Sequence, residues 1–259
     1  MKNKCLYRIV FVTFLALTQT SPVFTYTDNK SIDVIFFNLS EGEATLVVTE
    51  NQKRILINTG STNSKDELIN HLKKLNVTSI DYLLITNTND EYDGNMDQIA
   101  QKYDISEIIV PNHEDYTEEK NDKRFFVWKD LTDITLTNKL SLKLIDETEE
   151  GEVTFLLLFG NESILFSNDE TSDVEERITK ITNHVDVIKI AAFGSGDSPS
   201  QSFLELTDPY LSVIFHSNEY EINEDLVERL AASWIDVYFV RQTGSVYLRM
   251  TTNDFELLS

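Results

Sequence analysis

From about residue 30 to residue 250 the chain alternates short runs of β-branched and aromatic residues with segments of helical period, and this rhythm limits the fold more than any other feature. Residues 31–39, 44–49 and 54–58 have strand composition and are separated by turn-forming residues. In 64–75, Leu68, Ile69, Leu72 and Leu75 recur at helical spacing. The unbroken apolar run 80–86 suits a buried strand; a helix over 94–103 follows, then a strand over 105–110 stopped by Pro111. Residues 113–123 are charged and without period, so they read as an exposed loop. The alternation then resumes, with strands over 125–128, 141–145, 153–159, 163–166, 185–190, 211–216, 236–240 and 246–250. Helices are predicted over 172–182, 200–206 and 223–233. No Pro- or Gly-rich linker divides the chain, and both halves run from strands into βα units, which predicts one α/β sandwich.

Hydrophobic residues make up 41% of the 259, enough for a sizeable core. Against 22 basic side chains stand 44 acidic ones, a formal charge of −22. Such a surface repels phosphate backbones, so no nucleic-acid partner is expected. A protein or small-molecule partner, cationic or neutral, suits it better. The chain has only four histidines and one cysteine, a poor supply for zinc. The single cysteine excludes an intrachain disulfide. At the start, Lys2, Lys4 and Arg8 precede an apolar run over 9–17 and then a polar stretch and Pro22. That is the pattern of an export signal, and the run is short for a membrane span. The expected organisation is a signal peptide or N-terminal anchor over 1–27 and one domain over 30–259. The protein is expected to be secreted or extracytoplasmic, with a membrane tether as the alternative because no clean A-x-A cleavage site follows.

Four local motifs, in order, carry a family resemblance. Asn38-Leu39-Ser40-Glu41-Gly42-Glu43 stands for a D-V-G-Q-G-D turn, and Ile55-Leu56-Ile57-Asn58-Thr59-Gly60 for I-L-I-D-T-G. The segment 72–86 follows the same pattern, and Lys189-Ile190-Ala191-Ala192-Phe193-Gly194-Ser195 stands for K-V-x-H-H-G-S. From residue 32 to residue 250 the chain resembles the metallo-β-lactamase domain of ComEC-type competence proteins. The resemblance implies an αββα four-layer sandwich and a metal site built from T-H-x-H-x-D-H and H-H-G-S motifs. At those positions this chain has Asn87, Asn89 and Tyr92 for histidines, Glu91 for the aspartate, and Ala192 and Phe193 for the histidine pair. Asp169 aligns with the bridging aspartate, and Glu221 with the final histidine.

Three readings follow. In the first, the site binds no metal and the fold serves as a non-catalytic binding or accessory scaffold, because amides, a phenol and an alanine are poor zinc ligands. In the second, Asn87, Asn89, Asp90, Glu91, Asp93, Asp169 and Glu221 form an oxygen pocket for Mn²⁺, Mg²⁺ or Ca²⁺ and support a phosphodiesterase- or nuclease-like hydrolase. In the third, other residues catalyse a metal-free reaction. A DNA-uptake accessory is a further alternative, and the charge opposes it. Ser195 and His216 read as turn and strand-end residues, and His71 as solvent-facing. Trp128, Trp234, Phe125 and Phe126 read as packing residues.

Overall fold

The computed structural model describes residues 30–116, 122–131 and 133–258; the expected export segment lies outside them. Two mixed sheets pack face to face. The first has eight strands in the order β15-β14-β1-β2-β3-β4-β5-β6, and the second has seven in the order β13-β12-β11-β10-β9-β8-β7. The first contains β1 (Ile32–Phe36), β2 (Thr45–Val48), β3 (Arg54–Ile57), β4 (Ser79–Leu84), β5 (Asp104–Val110), β6 (Phe125–Val127), β14 (Val246–Met250) and β15 (Phe255–Leu257). The second contains β7 (Asp133–Thr135), β8 (Leu140–Glu147), β9 (Val153–Phe159), β10 (Glu162–Phe166), β11 (Val187–Lys189), β12 (Leu211–Ile214) and β13 (Asp236–Phe239). Each sheet runs from antiparallel hairpins into parallel strands, at β3–β4 in one and β10–β11 in the other.

Strand alternation explains the layers. In β1, Ile32, Val34 and Phe36 enter the core between the sheets, whereas Ile35 faces the outer layer. That outer core is shared with Leu68 and Leu72 of α1 (Lys65–Lys74) and Ile99 of α3 (Met96–Lys102). On the opposite side Val174 and Ile178 of α4 (Ser172–Ile181), Phe203 of α5 (Gln201–Thr207) and Leu226 and Leu230 of α6 (Glu224–Ala232) cover the second sheet. The result is the expected four-layer αββα arrangement, with three apolar cores.

Some local expectations change. The helix expected over 94–103 forms as α3, and a separate single turn, α2 (Asp90–Asp93), precedes it. The two are separated at Asn95, whose side-chain amide donates to the carbonyls of Thr59 at 2.9 Å and Ser61 at 2.8 Å. Strands β7 and β15 lie at sheet edges, and most of their side chains are exposed, so they lack an apolar signal. The single-turn helix α7 (Val240–Thr243) follows β13. The segment expected as an exposed loop turns inward at Tyr116, which is buried and donates its hydroxyl to Asp93 at 2.6 Å; residues 117–121 lie outside the described set. Trp128 is buried and bonds the Ile85 carbonyl at 2.7 Å. Trp234 is not a packing residue: it is 94% exposed, on a left-handed residue at the end of α6. His71 is not solvent-facing, because it stacks on Phe37 with centroids 5.0 Å apart and its Nε2 lies 3.1 Å from the Asn38 carbonyl.

Candidate functional site

Loops from both sheets converge at one end of the sandwich. The β1–β2 turn reaches α2 through Glu43 N–H to the Glu91 carbonyl at 2.9 Å. It also reaches the end of β12 through Gly42 N–H to His216 at 2.9 Å. A side chain on Gly42 would clash with the Glu91 carbonyl and lie 2.6 Å from the Ser61 nitrogen, and φ there is +82°. Only glycine accepts both constraints. Thr59 N–H binds the Tyr92 carbonyl at 2.6 Å, and Val153 N–H binds the Thr86 carbonyl at 2.8 Å, so the loop after β4 is held from both sheets.

At the centre lies a buried ion pair. In β11 Val187 faces the core between the sheets and Ile188 the helices, so alternation sends Lys189 inward. Its ammonium lies 2.8 Å from Glu43 Oε2 and donates to Asn168 Oδ1 at 2.6 Å. It also lies 5.6 Å from the centre of the Tyr92 ring. The Asn58 amide donates to Glu43 Oε1 at 2.6 Å, and Asn58 Oδ1 accepts the Thr86 N–H at 2.9 Å. Burial pushes the Glu43 carboxyl up and the Lys189 ammonium down, and the close contact opposes both effects. The sequence reading did not single out this pair. A lysine at the inward position of an apolar strand was the available signal, since a buried ammonium requires a partner.

Outside the ion pair runs an aromatic row. Tyr92 meets Phe193 with centroids 5.5 Å apart, and Phe193 stacks on Tyr220 at 5.7 Å and 18°. Ala192 and Phe193 both have left-handed backbones, with φ of 42° and 56°, a strained conformation for residues other than glycine. Around this row are carboxylates. Glu91 is buried, and its Oε1 has no hydrogen-bond partner. Burial raises its pKa, hydrogen bonding from Ser217 opposes the rise, and the charges of Glu219, Glu41 and Glu43 add to it. Burial likewise raises Glu152 and Glu170, with neighbouring acids adding to each.

The residues at the implied metal positions are mostly engaged elsewhere. Asn87 Oδ1 accepts its own loop's Asn89 N–H at 3.0 Å. Tyr92 lies between Lys189 and Phe193, and Ala192 carries no donor atom. Asp169 accepts from the Thr171 N–H at 2.7 Å and hydroxyl at 3.0 Å. Glu221 is exposed, Asp90 is held by Ser61 and Thr62, and Asp93 by Tyr116. Among the described residues no group of three or more His, Cys, Asp or Glu is disposed to hold a metal ion. This donor set does not fit a zinc or manganese ion, and the Lys189 ammonium already places positive charge among these loops. Ser195 donates to the Ala192 carbonyl at 2.8 Å, as a turn serine does, and His216 lies 3.3 Å from Asn218.

No family model matches the chain. It is 22% identical over 220 residues to Recombination protein 2 of Haemophilus influenzae, a match that covers 82% of this chain and 27% of that protein. The chain thus spans about a quarter of the length of that relative. Among solved structures it is similar to the metallo-β-lactamase fold protein YhfI from Bacillus subtilis, with a TM-score of 0.58, 9% identity, and coverage of 80% of this chain and 96% of the other. A diphosphatase of the PhnP family aligns with a TM-score of 0.57 and 10% identity over 88% of this chain and 100% of its own. The diiron β-hydroxylase CmlA from Streptomyces venezuelae aligns at 0.59, with 11% identity over 86% of this chain and 55% of its own. With the two facing sheets, their helix layers and the loops gathered at one end, these likenesses establish that the chain has the metallo-β-lactamase fold.

Proposed function

We propose that this is an exported protein in which the metallo-β-lactamase fold serves ligand binding without metal catalysis, as a binding or accessory protein. The observation that carries the reading is the content of the loop cluster. The Lys189–Glu43 pair and the Tyr92–Phe193–Tyr220 row stand among the loops from which the family resemblance expects imidazoles. Zinc activation of water needs strong donors and one open coordination position. Rings and an ammonium supply neither. The similarity to Recombination protein 2 does not extend the proposal to DNA, because a charge of −22 opposes phosphate contacts.

Elemental analysis of the full-length protein, purified without added metal, tests the reading alongside turnover of a phosphodiester. Zinc is expected to be far below stoichiometric, and turnover no greater than in Asp169→Ala. Stoichiometric metal with turnover abolished by that substitution would overturn the proposal. Fractionation of cells expressing the full chain tests export, and a wholly cytosolic protein would refute that part.

A further inference from the structure

The end of the sandwich opposite the loop cluster has the reverse electrostatic character. Along β1 the pairs with β14 run from Phe36–Val246, on the side of the loop cluster, to Ile32–Met250 at the far end. At that far end lies a cavity of about 460 Å³ whose lining includes Lys30, Lys139, Arg249 and the turn Thr251–Asn253. Among the described residues no carboxylate and no apolar side chain lines it. In a chain with 44 acidic and 22 basic side chains, a wall with three cations and no acid inverts the average surface. The wall is held from both sheets. Asp33, itself buried, accepts from Arg249 Nε at 2.8 Å and Nη2 at 3.2 Å, which fixes the guanidinium and leaves its Nη1 N–H groups for another acceptor. Asn161 ties the turn to the second sheet, through its N–H to the Thr252 carbonyl at 2.9 Å and its amide to Asn253 Oδ1 at 3.0 Å. The Lys139 carbonyl accepts the Gly160 N–H at 3.3 Å. Lys30 and Lys139 are exposed, and neither ammonium has an ion-pair partner among the described residues. We propose that this cavity binds the phosphate group of a small polar phosphate ester.

The donor set selects the ligand. A fixed guanidinium and two ammoniums suit a phosphate, whose oxygens accept from several directions at once; a single carboxylate would leave most of these donors unused. The cavity is larger than a bare phosphate, and its remaining walls are polar, so the rest of the ester is polar too. Thr252 Oγ1 accepts from the Asn253 amide at 3.3 Å, and its own O–H is a donor for that part. The acidic surplus does not oppose this contact as it opposes DNA. A polymer meets the whole surface, whereas a small ester meets one cavity, and exposed charges beyond about 10 Å are screened at 0.1 M salt. The acids that act on Arg249 are Asp33 and Glu256, and neither lines the cavity. The ester is either free in solution or a lipid headgroup, because Lys30 directly follows the segment expected as an export signal or anchor. The inference is independent of the metal-free reading, whose residues lie at the other end.

The test has two arms, both on the full-length protein at about pH 7.5, above the second pKa of a phosphate monoester, and at about 0.1 M sodium chloride. Calorimetric titration with glycerol phosphate reads the free ester, with glycerol as the uncharged control. Co-sedimentation with phosphatidylglycerol vesicles, against phosphatidylcholine vesicles, reads the headgroup. Saturable one-to-one binding of glycerol phosphate, or a preference for phosphatidylglycerol, is expected, and glycerol should not bind. The response should weaken about tenfold or more in Lys30→Gln/Lys139→Gln. Both lysines are exposed, so this variant keeps the fold. Lys73→Gln/Lys74→Gln, on exposed positions of α1, makes the same change in net charge away from the cavity and should leave the response unchanged. A response in titration alone identifies a free ester, and one in sedimentation alone a lipid headgroup. Absence of a lysine-dependent response in both arms, or equal weakening by the two double variants, would overturn the proposal.

Discussion

At Lys189 an ammonium with 0% exposure depends on one carboxylate, Glu43, and on the amides that hold the two in place. Removing one member of a buried pair leaves an uncompensated charge, whereas replacing both with neutral groups of similar size is often tolerated. Lys189→Met is therefore expected to destabilise the protein by about 3–5 kcal/mol, with the double variant Glu43→Gln/Lys189→Met far closer to wild type. Urea denaturation of the four proteins checks this, and additive losses would contradict it. Asp93 makes a second case. Burial raises its carboxyl to about 6, against the hydrogen bond from Tyr116, with Asp90 and Asp115 adding to the rise. Above that pH the folded protein carries a partly buried charge that the unfolded chain hydrates freely. Asp93→Asn should raise Tm by roughly 2–4 °C at about pH 8 and have little effect near pH 4; a Tm gain that is independent of pH would exclude this cause. At this scale the sequence was partly legible. The inward position of Lys189 follows from alternation along β11, but its pairing with Glu43 joins residues 146 positions apart in different sheets, and no local pattern encodes that contact.

Two helices end in the same device with opposite residue choices. After α1, Asn76 is left-handed at φ 53°, its N–H bonds the Lys73 carbonyl at 3.0 Å, and Val77 N–H bonds Leu72 at 2.9 Å. After α6, Trp234 is left-handed at φ 60°, with the equivalent bonds to Ala231 at 3.1 Å and from Ile235 to Leu230 at 3.2 Å. Glycine and asparagine suit this closing position; tryptophan does not. Because the Trp234 side chain is 94% exposed, it loses little packing when removed. Trp234→Gly should therefore stabilise the protein by roughly 1 kcal/mol, the scale of the left-handed penalty. A loss of stability would instead show that the ring packs on something outside the described residues. The elements themselves were legible where the apolar period is strong, as in α1 and β9. They were not legible where a strand lies at an edge with most of its side chains exposed, as β7 does, because pairing with a neighbour there leaves no trace in composition. The short helix α2 escaped for a related reason: the Asn95 side chain that separates it from α3 bonds a loop 34 to 36 residues away.

For the whole molecule, the acidic surplus and the converging loops act in the same direction. Burial raises the carboxyls of Glu91, Glu147, Glu152, Glu162 and Glu170 as well as Asp93, while hydrogen bonds lower Glu41 and Asp90. For a raised carboxyl, the folded state still holds a proton that the unfolded chain has released. Stability from such a group is fully present below its unfolded pKa and falls as pH rises through the interval up to the folded value. For Asp93 that interval runs from the ordinary carboxyl range up to about 6. Far into acid the ion pairs Lys189–Glu43 and Arg249–Asp33 are lost instead. The stability maximum is thus expected near pH 5, on the order of the pH at which these opposing effects cross. Above it, the surplus of 44 acidic over 22 basic side chains adds like-charge repulsion, which salt screens within about 10 Å at 0.1 M. Urea midpoints should therefore fall between about pH 5 and pH 8, and added sodium chloride should recover more of the loss at the higher pH. A midpoint that climbs steadily toward pH 8, or one that salt leaves unchanged there, would mean that these carboxylates are paired in the folded protein by cations beyond those the loops and sheets supply.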